Sequence, residues 1–189
     1  MCCVCWKGEC GMLNFILCDD DEEFLETMKN NVRRFMMNHN ISYNIYSFEG
    51  YNDDFERLTY SDIGYKVYLL DIRTKLGSGI DAARNIREKV EDWNSIIILI
   101  TAFNEYRYQA LSNRLLLLDF ICKAKDMDQK LQDTLRIVLK HYGNGQKCLS
   151  YEYNYMIHRI EFRKIIYIEK EQDTKRSIVY TTYGTFKVP

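Results

Sequence analysis

The chain has 189 residues, 47% of them apolar and 14% aromatic, which is material for one ordinary domain and a smaller second piece. No apolar run approaches the roughly 18 residues a membrane helix needs, so no membrane partner is expected. Net charge is −1 overall, but residues 1–146 carry 18 basic and 22 acidic side chains and residues 147–189 carry 8 and 5. The tail is therefore mildly basic, a balance that permits nucleic acid without showing it.

Seven cysteines are present. Cys2, Cys3, Cys5 and Cys10 crowd the start, while Cys18, Cys122 and Cys148 stand among apolar neighbours, as small buried hydrophobes do in a reducing compartment. Cys2 and Cys5 have zinc-like spacing, but no second pair or histidine lies near, so no metal is expected there. Residues 1–11 also lack the apolar segment of a signal peptide. They read as a disordered extension of a cytoplasmic protein.

Residues 13–18 form a short apolar strand, and Asp19-Asp20-Asp21-Glu22-Glu23 follows at once. Five successive carboxylates repel one another unless solvated, protonated or holding a cation. Acidic residues suit a helix N-terminus, and Phe24, Leu25, Met28, Val32, Phe35 and Met36 then recur at helical spacing. That accounts well for Asp21 to Glu23 and less well for Asp19 and Asp20, which sit where the strand ends. Residues 41–48 read as a second strand and 53–60 as a weak helix. The unbroken block Val67-Tyr68-Leu69-Leu70 suits a strand buried on both faces, and it ends in Asp71 and a glycine-containing loop. Helices are expected over 80–90, 105–115 and from Asp126 to about residue 141, with buried strands over 95–100 and 118–122.

Strands alternating with helices call for a parallel sheet with right-handed crossovers. Gly143-Asn144-Gly145 then punctuates the chain. Beyond it the pattern predicts short antiparallel strands over 148–153, 156–162, 164–169 and 177–182, with no helix. The expected organisation is an α/β domain over 12–143 and a small β piece over 144–189.

In a parallel sheet all strand C-termini lie on one edge. Asp19 and Asp20, Asp71, Thr101 and Lys123 should therefore converge. Two carboxylates plus phosphate oxygens are the usual protein share of a Mg²⁺ site. A third carboxylate can act as nucleophile, since Asp forms acyl phosphates. The Thr101 hydroxyl and Lys123 ammonium would then bind phosphoryl oxygens.

These residues resemble the receiver domain of bacterial two-component response regulators. The acidic pair after strand one, Leu69-Leu70-Asp71-Ile72, Gly79, Ile100-Thr101-Ala102 and Phe120-Ile121-Cys122-Lys123 match in order over about residues 13–142. The resemblance implies a flavodoxin-like, doubly wound five-stranded sheet in the order 2-1-3-4-5. It implies Asp71 as phospho-acceptor, and Mg²⁺ on Asp19, Asp20, Asp71 and the backbone carbonyl of Arg73. It further implies Thr101 and Phe120 as a switch pair, a partner sensor histidine kinase, pairing of receivers on phosphorylation, and no enzyme activity beyond phosphoryl transfer to and from Asp71. Two residues depart from the pattern. Ala124 stands where proline is usual in a cis peptide, a bond that costs about 3–4 kcal/mol before a non-proline residue, so that loop should be trans or strained. Phe120 stands where tyrosine is commoner.

Phe162-Arg163-Lys164-Ile165-Ile166-Tyr167-Ile168-Glu169 and Ile178-Val179-Tyr180-Thr181-Thr182, followed by Tyr183-Gly184, resemble the start of the LytTR DNA-binding domain. About half of such a domain would be present, so transcriptional control through DNA is the implied role of its complete form, and DNA binding by this chain is expected to be weak. Lys175 and Arg176 would touch phosphates or form a solvated basic turn. A haloacid-dehalogenase-type phosphatase needs a second Asp two residues after the nucleophile, where this chain has Arg73. A dinucleotide fold needs glycines after strand one, where this chain has carboxylates that repel a pyrophosphate. A phosphorylation-dependent interaction module without DNA binding stays open as the alternative.

Overall fold

The structure, a computed structural model, describes residues 12–124, 126–145, 148–153, 156–172, 174 and 176–188. The expected N-terminal extension with Cys2 and Cys5, and Lys175, lie outside the described residues. Contacts divide the chain into two compact units, the first reaching to Leu139 and the second beginning at Lys140.

In the first unit, β1 (Leu13–Cys18), β2 (Tyr43–Phe48), β3 (Tyr65–Leu70), β4 (Ile96–Thr101) and β5 (Asp119–Cys122) form one parallel sheet. Its order is β2-β1-β3-β4-β5, as expected for the flavodoxin-like fold. Every residue of β1 and β4 is buried, which is why these strands read as continuous apolar blocks rather than alternating ones. Helices α1 (Glu22–Met36), α2 (Asp53–Tyr60), α3 (Gly79–Glu88), α4 (Arg107–Ser112) and α5 (Met127–Gly145) join them, the last turns of α5 from Lys140 on counting with the second unit. One face of the sheet packs Ile16, Tyr68, Leu70 and Leu99 against Phe55 of α2, Ile80 and Ile86 of α3, and Ala110 of α4. Alternation turns Phe15, Leu17, Val67, Leu69, Ile98 and Ile100 the other way. Buried residues of α1 and α5, including Met28, Val32, Leu131 and Leu135, remain to cover them. Those two helices are tied by Asn31 Nδ2 donating to Asp128 Oδ1 at 3.0 Å.

Arg87 of α3 is fully buried and keeps its charge by donating to carbonyls, at 2.9 Å to Leu115 and 3.0 Å to Ser95. It thereby ties α3 to the segments that lead into β4 and β5.

Helix α4 is shorter than its predicted span of 105–115. It follows a 3₁₀ turn (Asn104–Tyr106) and stops at Ser112. Ser112 Oγ donates to Tyr108 O and Asn113 Nδ2 to Gln109 O, both at 2.7 Å, so side chains take carbonyls at its end. Arg114 and Leu116 then adopt positive φ, which ends the helix. Helix α5 runs through the Gly143-Asn144-Gly145 punctuation to Gly145; glycines are well tolerated at a helix C-terminus.

The second unit holds a hairpin, β6 (Cys148–Tyr153) with β7 (Met156–Glu161), and a three-stranded antiparallel sheet. That sheet comprises β8 (Ile165–Lys170), β9 (Ser177–Thr181) and β10 (Gly184–Val188). Five strands are described where four were expected. The strand β10 carries little sequence signal of its own, since it starts at a glycine and has only two large apolar residues. Leu149, Tyr151, Ile160, Ile165, Val179, Phe186 and Val188 form one small cluster. No helix among the described residues is long and apolar enough to cross a membrane.

Candidate functional site

Strand register brings the polar strand ends together. Cys18 pairs with Leu70, Leu70 with Leu99, and Thr101 with Cys122. Asp19 and Asp71 therefore leave neighbouring strands side by side, and Lys123 leaves β5 next to Thr101. The backbone ladder continues past the strand ends. Asp19 N donates to Phe48 O at 3.1 Å, Asp71 N to Cys18 O at 2.9 Å, and Lys123 N to Thr101 O at 2.8 Å. All three side chains thus start from fixed backbone.

Asp19 and Asp71 are buried and Asp20 is half-buried. Carboxylate oxygens of the three lie within 4.8 Å of one another. The Lys123 ammonium sits 2.7 Å from Asp19 Oδ2 and 2.9 Å from Asp71 Oδ2, although only Asp71 receives it in hydrogen-bond geometry. Asp19 Oδ2 is consequently a buried oxygen with a charge beside it and no aligned donor. Burial pushes the Asp19 carboxyl above the usual carboxylate range, an effect that Lys123 and the Asp21 N–H only partly offset. Burial alone would lower the Lys123 ammonium. The two carboxylates held close against it, Asp19 and Asp71, outweigh burial and hold the lysine above its ordinary value.

This all-oxygen donor set, with one buried oxygen lacking an aligned donor, fits a hard divalent cation such as Mg²⁺. Three carboxylates against the Lys123 ammonium and the exposed Lys75 ammonium, 3.9 Å from Asp20 Oδ2, still leave net negative charge for a cation to neutralise.

Of the remaining predicted residues, Thr101, Arg73 and Phe120 belong to the first unit. Thr101 is fully buried, and its hydroxyl accepts from Phe103 N at 3.2 Å, which leaves the hydroxyl proton free to donate elsewhere. The Arg73 N–H points at Asp71 Oδ1 from 3.4 Å. Phe120 is buried in β5, with the Arg107 guanidinium 5.8 Å from its ring centroid. The Lys123–Ala124 peptide is trans, and the ammonium reaches both carboxylates nonetheless. Arg176 belongs to the second unit and is exposed.

Two residues with a place at the site were not singled out from sequence. Tyr51, in the loop after β2, donates a short hydrogen bond to the backbone carbonyl of Asp71. A Cβ on Gly79 would lie 2.2 Å from that carbonyl oxygen and 2.7 Å from Tyr51 Oη, so only glycine fits there. Phe24 read as one more core position of α1, yet it is half-buried and its ring centroid lies 4.2 Å from Lys123 Nζ. Its signal was its position, directly after the acidic run.

No family model matches the sequence, and no curated protein matches it. Solved structures do. The response regulator protein TrrA from Thermotoga maritima, in complex with Mg²⁺-BeF, is 23% identical with a TM-score of 0.53, over 67% of this chain and 99% of that one. A response regulator receiver domain protein from Clostridium thermocellum is 14% identical with a TM-score of 0.56, over 69% of this chain and 97% of that one. Response regulator DrrB, a Thermotoga maritima OmpR/PhoB homolog, is 17% identical with a TM-score of 0.52, over 77% of this chain and 59% of that one. At these identities the similarity establishes architecture. The chain carries the flavodoxin-like fold of receiver domains, followed by a small antiparallel β region.

Proposed function

We propose that the first unit is a cytoplasmic receiver that takes one phosphoryl group on Asp71 from a partner histidine kinase. One observation carries this reading: Asp19, Asp20 and Asp71 meet within 4.8 Å, with the Lys123 ammonium bridging Asp19 and Asp71. An Asp71 carboxylate oxygen attacks phosphorus. The new O–P bond forms as the bond from phosphorus to the donor breaks, and that electron pair leaves with the donor. Asp19, Asp20, Asp71 and the backbone carbonyl of Arg73 would hold Mg²⁺, which would supply positive charge to neutralise the phosphoryl oxygens. Lys123 exchanges a carboxylate partner for a phosphoryl oxygen, and the Thr101 hydroxyl donates to another. Thr101 and Phe120 form the switch pair. No reaction is assigned beyond phosphoryl transfer to and from Asp71.

In the same reading, phosphorylation pairs two receivers, and the second unit is part of a LytTR-type region whose complete form binds DNA; contacts of this chain to DNA phosphates through Lys175 and Arg176 would be weak. A second reading, an interaction module without DNA binding, is favoured by a specific observation. Phe162, Ile166, Tyr167, Ile168 and Tyr183 are exposed large apolar side chains, better suited to protein than to phosphate. Gel-shift measurement on promoter DNA at two salt concentrations separates the two readings.

The core proposal is tested by incubation with acetyl phosphate and Mg²⁺, followed by intact-mass and peptide mapping. One phosphoryl adduct on Asp71 is expected, and chelation of Mg²⁺ should suppress it. An adduct undiminished in Asp71→Asn overturns the assignment.

A further inference from the structure

The acidic run and the lysine are joined by a side chain with no polar atom. Lys123 Nζ lies 4.2 Å from the Phe24 ring centroid, well inside the range of a cation–π contact. The lysine side chain is only 17% exposed, so water screens this contact poorly. Phe24 owes its place to the residues before it. Asp21 caps α1 by accepting from Phe24 N at 3.1 Å, and Asp21 N in turn donates to Asp19 Oδ1 at 3.1 Å. The contacts close a circuit: Asp19 to Asp21, Asp21 to Phe24, the Phe24 ring to Lys123, and Lys123 back to Asp19 at 2.7 Å.

A lysine needs such a seat here. Its ammonium ends a flexible four-carbon stem, and the next residue is Ala124, joined by a trans peptide, so no ring stiffens the loop. The carboxylates hold the ammonium at 2.7 and 2.9 Å, and the ring adds a third contact. The carboxylates stop being its partners once a cation or a phosphoryl group occupies them. The ring face remains.

We infer that Phe24 is a positioning residue for Lys123, its ring being the seat that holds the ammonium over Asp71 while the carboxylate partners change. The geometry stands by itself; the consequence for phosphoryl transfer rests on the receiver reading above. Leu25 and Met28, the next apolar positions of α1, are buried in the core, so α1 does not need Phe24 for its packing face.

The test uses the full chain with Phe24→Leu, Phe24→Tyr, and Phe24 replaced by mono-, di- and trifluorophenylalanine, which keep the ring's shape and drain its face of electrons. Two readouts are taken. By NMR, the Lys123 ε-methylene protons should be shifted upfield by the ring and return to ordinary values in Phe24→Leu. By mass spectrometry with acetyl phosphate and saturating Mg²⁺, the Asp71 adduct should form about tenfold more slowly in Phe24→Leu, the size of a partly desolvated cation–π contact. Tyrosine should restore the rate, and added fluorines should lower it stepwise with Mg²⁺ affinity and urea midpoint unchanged. A merely structural ring would give a flat fluorine series, and that result, or an unshifted ε-methylene signal in the wild type, overturns the inference. If the wild type takes no phosphoryl group on Asp71, the receiver reading falls, and the ring-current shift alone decides the seat.

Discussion

Replacing Lys123 by methionine keeps the stem and deletes the charge. Its two partners are buried, with the Asp19 side chain 1% and the Asp71 side chain 6% exposed. The variant therefore leaves two adjacent carboxylates without a cation. Removing one member of a buried pair costs about 3–5 kcal/mol. The lower end applies, because Asp19, already pushed up by burial, can escape by taking a proton. The sign of the pH dependence follows. A carboxyl raised in the folded state contributes most below its unfolded value and loses that contribution as pH rises through the folded one, so the deficit of the variant narrows on acidification. Mg²⁺ supplies the missing positive charge. At a free concentration about 100 times the dissociation constant, binding adds about 2.7 kcal/mol. In the wild type a bound ion would compete with the ammonium for the Asp19 and Asp71 carboxylates, whereas methionine would offer no competition. Urea unfolding with and without Mg²⁺ should thus show Lys123→Met about 3 kcal/mol less stable than wild type without metal, with Mg²⁺ restoring most of the loss and raising the variant more than the wild type. Equal stability without metal, or equal increments with it, refutes the reasoning.

Gly79→Ala places a methyl group 2.2 Å from the Asp71 carbonyl oxygen, a backbone atom just past the end of β3, where Asp71 N is anchored to Cys18 O at 2.9 Å. Alanine gains at most about 1 kcal/mol in helix propensity, whereas overpacking costs about 1–3 kcal/mol, so a lower urea midpoint and weaker Mg²⁺ binding by calorimetry are expected. Cys18 is buried beside the site, and its thiol is pushed up to about 12, chiefly by burial. It should therefore resist iodoacetamide at pH 8 in the native protein and react on unfolding, as read by peptide mass mapping.

The chain makes the site's polar groups legible because each of Asp19, Asp71, Thr101 and Lys123 follows a strand-length apolar block, and a parallel sheet puts every such end on one edge. Lys123 could be assigned without knowing its loop, since β5 fixes where its stem begins. Residues whose partners are distant in sequence were not legible. Tyr51 binds a carbonyl 20 residues away, and nothing in its own neighbourhood marks a tyrosine in a loop as bound. Helix α4 was overread because its apolar spacing continues past Ser112, while the competition of Ser112 and Asn113 for helix carbonyls is a property of side-chain rotamers. In the second unit, β10 was too short and too polar to register, and it is defined chiefly by pairing with β9.

The five acidic residues after β1 show why a composition-level reading stops short. Taken together they are a repulsive run; taken singly they have different work. Asp19 is buried against Lys123, Asp20 is half-buried beside it, Asp21 caps α1, and Glu22 and Glu23 lie exposed in the first turn. Their contiguity has a structural reason. The N-terminus of α1 carries partial positive charge that favours nearby carboxylates, and the backbone N–H of the capping residue is the donor that orients Asp19. Moving the cap by one residue would at once turn Asp19 away from Asp71 and carry Phe24 off the lysine. Strand end, carboxylate cluster, helix cap and the Phe24–Lys123 contact therefore depend on one register of six consecutive residues, and a single insertion within 19–24 should damage all four together.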